Sequence, residues 1–430
     1  MIDNYEKKKN NTFYLLLGLY FVIYFCAGIL PANIVSLLKT LPSATEGGIG
    51  IIITINLIVG MLSMIFFGYY GDLLAEKLTR KKLFIITNLT WIVAYGVMSL
   101  SPNYYVYLML VVIGAIGIGA FLPLGFSMIG DFYPAHERGT KFGLLQFCLG
   151  FGNGAGILIG GLIGWRIGFG LGFLLGISII LSYFFIGVDV DREIQTRNDD
   201  VHYDYKITIY KLTNLFKMKT ISGIFFAVLF SGIAISTLAN WGIFYLQNEL
   251  DTSSIALMIY IIAGLGALPG AIIGGKFGDK FLHIMKYRGR IIVSFSGLVL
   301  GITFLLLFYS FISTSYLLVF FGFLGYFFFS FAIGNQFAIY SEVCGPRSKA
   351  LANAMNGVML NMGGIIGNII TSFLIQDGVL GLSFAISMVL IIWLCGTMFW
   401  IITFLYYPFE VLKCKEDLVE ITLSQKIVKV

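Results

Sequence analysis

A chain of 430 residues with 58% hydrophobic and only 12% charged side chains cannot face water on all sides, since a soluble domain of this size carries about 25% charged residues. The net charge of +6 does not mark a nucleic-acid binder, because the basic residues lie in short clusters between long apolar runs. The cysteines, Cys26, Cys148, Cys344, Cys395 and Cys414, are scattered and odd in number with no CxxC spacing. That pattern gives little support to a disulfide framework or a metal centre, no cofactor is expected, and the thiols read as small apolar fillers.

A membrane-spanning helix needs about 20 apolar residues, and such runs recur from end to end. Met1 to Asn11 is polar, and the apolar run behind it is long enough to span, so this segment reads as retained rather than cleaved. The predicted spans cover residues 12–38, 48–70, 83–100, 104–129, 142–163, 167–187, 220–246, 253–277, 289–309, 315–340, 350–375 and 381–406. One set of links is short and nearly uncharged: Ser101–Asn103, Gly164–Arg166, Asn248–Thr252, Ser310–Thr314 and Gln376–Gly381. The alternate set is basic, and of the 28 Lys and Arg residues only Lys39 and Arg166 fall outside it. The bias of Lys and Arg toward the cytoplasm then puts both termini and the central stretch on the cytoplasmic side of the cell membrane. The fold class is therefore all-α integral membrane, with twelve transmembrane helices in two six-helix bundles. The bundles cover residues 1–188 and 220–406, with a cytoplasmic linker at 189–219 and a cytoplasmic tail at 407–430. The linker opens acidic and ends in Lys206–Lys219, where apolar residues alternate with lysines. A short basic helix on the membrane surface and a solvated linker both fit that pattern.

The two halves share a plan. Gly68-Tyr69-Tyr70-Gly71-Asp72 ends the second predicted span and Gly275-Lys276-Phe277-Gly278-Asp279 ends the eighth, 207 residues later. Basic clusters follow each, Arg80-Lys81-Lys82 and Arg288 with Arg290. Asp131 ends the fourth span with Arg138 seven residues on, and Glu342 ends the tenth with Lys349 seven residues on. Motifs repeated in one order at nearly one offset indicate two six-helix halves of common plan.

On these residues the chain resembles the major facilitator superfamily from about Thr12 to Tyr406. Gly68, Asp72 and the basics from Arg80 match its loop signature loosely. Asp131-Phe-Tyr-Pro134 through Arg138-Gly139 is similar to its acidic–Pro–Arg–Gly loop. Gly152, Gly156, Gly160 and Gly161 resemble its antiporter motif, with Ile157 where proline is usual, and Gly164-Trp165-Arg166 looks like a family feature at the outer end of the fifth span. Among the branches there is a faint likeness to the spinster-like lipid transporters. The resemblance implies that Asp72 links to the start of the eleventh span near Lys349, and Asp279 to the start of the fifth near Arg138. Both would act as locks that close the cytoplasmic side, since a carboxylate is favoured at a helix N-terminus.

Gly152, Gly156 and Gly160 recur every four residues, as do Gly266, Gly270, Gly274 and Gly278. Such stripes permit close helix contact, either as static packing or as a sliding surface. No Asp, Glu, His, Lys or Arg falls mid-span, whereas intramembrane charges mark proton relays and charged-substrate sites. The polar residues within the spans are amides beside aromatics, of which Asn33, Gln146, Asn240, Trp241 and Gln336 are the candidate solute-cavity residues. No GxSxG, HExxH or phosphate-binding GxxxxGK[ST] occurs, so an enzyme is not expected. The sequence thus reads as a monomeric transporter of a small neutral or amphipathic solute by alternating access, in contact with membrane lipids. The alternatives are a lipid transporter or scramblase of the same fold, and a membrane receptor without net flux.

Overall fold

The computed structural model describes residues 2–133, 135–188, 209–250, 253–310, 315–344, 349–375 and 379–428. Within the described helices, the side chains of Asp72, Asp131, Arg138, Gln146 and Lys349 lie outside the description. So does residue 189–208, the acidic part of the linker. Among the described residues every regular element is a helix, as expected where long apolar runs must satisfy their own backbone groups without water.

The chain divides into two compact units. The first comprises Met1–Tyr205 with Thr252–Leu257, and the second Lys206–Asp251 with Met258–Val430. The first unit holds α1 (Ile2–Ala32), α2 (Ile34–Thr40), α3 (Glu46–Leu78), α4 (Arg80–Met98), α5 (Tyr104–Phe132), α6 (Ala135–Ile163) and α7 (Trp165–Ile186). Here α1 packs on α6 and α7, while α3 and α4 pack on α5. The glycine stripe of α6 is turned to α1. A Cβ on Gly156 would overlap the Phe25 carbonyl, one on Gly152 would lie 2.6 Å from the Phe21 carbonyl oxygen, and one on Gly160 would lie 2.9 Å from Ile29 Cγ1. Gly161 meets the flexible end of Leu257.

The remaining helices are α8 (Ile209–Lys217), α9 (Lys219–Glu249), α10 (Ser253–Leu265), α11 (Ala267–Met285), α12 (Gly289–Ser310), α13 (Ser315–Phe329), α14 (Phe331–Val343), α15 (Lys349–Leu374), α16 (Val379–Gly396) and α17 (Phe399–Val428). In the second unit α9 packs against α15, α16 and α17, and α11 against α12, α13 and α14. The second stripe plays the same part as the first. Cβ atoms on Gly266 and Gly270 would overlap the carbonyls of Phe323 and Phe327, and one on Gly278 would overlap the Asn335 side chain. Both stripes are therefore sites of close helix packing inside one unit.

The predicted spans fall on helices. Among the described residues ten helical segments are long and apolar enough to cross a membrane. The third and fifth predicted spans are helical as α4 and α6. Arg80, Lys81 and Lys82 open α4, a helix of 19 residues. The basic end of the linker is helical as α8. Finally, α17 continues beyond the predicted span end at Tyr406, because residues 411–428 are mostly good helix formers without glycine.

Candidate solute site and charged helix ends

The polar interior of the second unit lies along the α9–α15 seam. Gly363 and Gly367 let α15 approach until a Cβ on either would overlap the carbonyls of Leu229 or Ile233. That approach brings Asn368 of α15 to the face of α9 that carries Ser236, Asn240 and Trp241. Trp241 Nε1 donates to Asn368 Oδ1 at 3.2 Å, and Asn368 Nδ2 donates to Ser236 Oγ and to the Gly364 carbonyl, each at 2.8 Å. Asn240 Nδ2 donates to the Ser236 carbonyl at 2.8 Å. A second amide group joins α14 to α15: Gln336 Nε2 donates to Asn356 Oδ1 at 2.6 Å, and the Tyr340 hydroxyl donates to the same oxygen at 2.9 Å.

The candidate cavity residues divide by exposure. Asn240 and Gln336 are half-buried, whereas Trp241 is fully enclosed. The sequence reading places Trp241 among the solute-cavity residues; the structure encloses its ring beside Asn368 of α15. Asn33 is also buried. It sits at the break between α1 and α2, where its Nδ2 donates to the carbonyls of Ile29 and Gly160 at 2.9 Å each. It thus satisfies the Ile29 carbonyl at the break in its own helix and ties α1 to Gly160 of α6. Ser236, Asn356 and Asn368 were visible only as polar letters in apolar runs; their role depends on the glycine-permitted approach of α15.

The charged helix ends form a connected set in the second unit. Arg290, near the start of α12, places Nη2 at 2.7 Å from Asp279 Oδ1 and Nη1 at 2.9 Å from Glu342 Oε1. The Tyr407 hydroxyl of α17 donates to Glu342 Oε2. One guanidinium therefore ties together the ends of α11, α12 and α14, with α17 attached through the phenol, which suits the planar fork of arginine. Asp279 takes its partner from its own unit, and Gly275, one turn earlier, has open space beside its Cα. In the first unit, Gly68 and Arg80 line a small pocket with Gly71, Pro123, Leu124 and Ser127. The α3–α4 joint there passes through Thr79 at φ 61°, an unfavourable backbone region for a β-branched residue.

Arg166, one of the two basic residues outside the basic links, has a structural task. Its Nη1 and Nη2 donate to the carbonyls of Ser99 and Ser101, each at 3.0 Å, satisfying the C-terminal end of α4. Gly164 at φ 85° makes the turn that starts α7, and Trp165 Nε1 donates to Thr40 Oγ1 at 3.1 Å.

The family model for the Major Facilitator Superfamily matches residues 16–308, most of the chain. The chain belongs to the Major Facilitator Superfamily. Among curated relatives, the quinolone resistance protein NorA of Staphylococcus aureus is 23% identical over 325 residues, covering 73% of this chain and 78% of NorA. The niacin transporter NiaP of Acinetobacter baylyi is 29% identical over 94 residues, only 22% of this chain and 21% of NiaP. Among solved structures, an inward-facing, occupied bacterial homologue of the human lysosomal transporter Spinster has a TM-score of 0.70 at 14% identity, covering 93% of this chain and 96% of that one. A D-xylose–proton symporter gives 0.70 at 16% identity over 94% and 96%, and the nucleoside transporter NupG gives 0.65 at 15% identity over 93% and 99%. These structures share the fold. This superfamily member is a multi-pass membrane transporter and not an enzyme.

Proposed function

We propose that this superfamily member carries a small neutral or amphipathic solute across the cell membrane by alternating access. In this reading both termini are cytoplasmic, and twelve helices form two six-helix halves. The observation that supports it best is the chemistry of the α9–α15 seam. Its polar groups are amides, hydroxyls and one indole, all neutral, with Asn240 half-exposed beside them. Amides orient a polar head by hydrogen bonds but offer no countercharge to an ion. Asp72 and Asp279 act in this proposal as locks at helix ends rather than as ligands, with Asp131, Arg138, Glu342 and Lys349 as their surroundings.

The test is uptake into proteoliposomes over a pH series that titrates carboxylates. Transport of a neutral or amphipathic solute is expected to stay nearly flat across it. Steep, proton-driven uptake of a dianion would show that the neutral seam is not the solute site.

A further inference from the structure

We infer, within the transport reading proposed above, that Ser236 and Asn240 of α9 form a one-donor, one-acceptor pair that selects the solute through a neutral carboxamide or hydroxyl group, and that Asn368 is the positioning residue that sets the polarity of the pair. Each group is fixed by a neighbour that can act in one sense only. The Trp241 indole only donates, so the Asn368 atom 3.2 Å from its Nε1 is the amide oxygen. Asn368 Nδ2 then gives its two hydrogens to Ser236 Oγ and to the Gly364 carbonyl, each at 2.8 Å. Ser236 Oγ also accepts from Asn240 Nδ2 at 3.4 Å. A hydroxyl has two acceptor positions and one hydrogen. Both positions are filled here, and among the described residues the hydrogen has no acceptor. Asn240 Nδ2 donates to the Ser236 carbonyl at 2.8 Å, which only accepts. Asn240 Oδ1 is therefore the unused atom of that amide, with no donor among the described residues. Ser236 thus offers a donor and Asn240 an acceptor.

Ser236 stands just past the midpoint of the 31-residue α9, and Asn240 follows one turn later, so the two side chains share a face. Both are half-buried, and Ala239 beside them is exposed. In hydrocarbon an unmade bond on each of two neighbouring polar groups would cost free energy that nothing offsets. Such groups in mid-span belong to a water-filled passage, where water serves them until a solute takes its place. A carboxamide or a hydroxyl replaces both water contacts. A carboxylate only accepts, which sets it against Asn240 Oδ1, and an ammonium only donates, which leaves the Ser236 hydrogen unused.

Three pyridines that differ in one substituent test this by equilibrium binding to the full chain: nicotinamide, nicotinate and 3-(aminomethyl)pyridine, which carry a carboxamide, a carboxylate and an ammonium. Nicotinamide should bind about tenfold more tightly than either charged relative, the worth of one hydrogen bond. Ser236→Ala should remove that advantage and Ser236→Thr, which keeps the hydroxyl, should retain it. Asn368→Leu frees an acceptor position on Ser236, so the ammonium should gain on the carboxamide; a purely structural Asn368 would weaken all three probes alike. Ser236→Ala, at a half-buried position, carries the test if Asn368→Leu does not fold. In proteoliposomes Ser236→Cys and Asn240→Cys should react with a charged methanethiosulfonate beyond the level of the parent chain, and Thr237→Cys, at a buried position, should not. Nicotinamide binding no tighter than that of its charged relatives, an advantage unchanged in Ser236→Ala, or unreactive cysteines at both positions would overturn the inference. Counterflow of nicotinamide that is flat with pH and unaffected by Ser236→Ala would remove the pair and leave the neutral-solute reading standing, whereas proton-driven uptake of nicotinate would remove that reading itself.

Discussion

At the level of single residues, one letter serves opposite purposes in this chain. Asn33 and Asn240 are both amides in apolar runs, and the sequence offers no means of separating them. Asn33 is buried and bonds two backbone carbonyls across an interrupted helix, while Asn240 is half-exposed and bonds only within its own helix turn. Trp241 and Asn240 are adjacent, yet their substitutions should separate cleanly. Trp241→Ala removes a fully enclosed ring and its hydrogen bond to Asn368, at a cost of roughly 3–5 kcal/mol by the usual penalty for large-to-small changes in a core. A marked fall in melting temperature is expected. Asn240→Ala should change stability by under about 1 kcal/mol while weakening solute uptake. Thermal unfolding and uptake measured on both variants check this; equal destabilisation by the two would mean that Asn240 is a packing group as well.

Helices were legible in the sequence because their signal is long and redundant. The glycine stripes were legible as contact surfaces too, but the partner of each stripe was not, since spacing says how close a neighbour comes and not which neighbour it is. The structure assigns the α6 stripe to α1 and the α11 stripe to α13 and α14. The ends of elements were the least legible part: α17 runs on past Tyr406 because nothing in residues 411–428 stops a helix. The α1–α6 contact gives a direct test. Gly156→Leu places a branched side chain against the Phe25 backbone, which cannot move aside as a side-chain tip could. Size-exclusion chromatography of the purified variant should show loss of the monodisperse peak, whereas Gly154→Leu, at a position with open space, should behave as the parent. A monodisperse Gly156→Leu protein would mean that the two helices are not held this closely.

For the molecule as a whole, the repeated GxxGD motif and the alternation of basic and neutral links pointed to the superfamily that the family model then matched over residues 16–308. The solute was not legible, because the groups that would touch it are common amides whose meaning depends on which neighbours face them. The proposed locks act at this scale. Asp72→Asn should lower the transport rate and shift accessibility toward an inward-open population, with ligand affinity altered only as far as that population shift requires. Cysteine-accessibility labelling alongside transport assays reads both effects, and normal transport with unchanged accessibility would remove the lock from the account. The central claim, carriage of a neutral or amphipathic solute through a site without a countercharge, is tested most directly by counterflow in proteoliposomes. Xylose, a nucleoside, a quinolone and nicotinate form a panel that runs from neutral through amphipathic to anionic. The account predicts saturable counterflow of a neutral or amphipathic member with a rate that varies little with pH; saturable counterflow confined to nicotinate and steeply dependent on pH would contradict it.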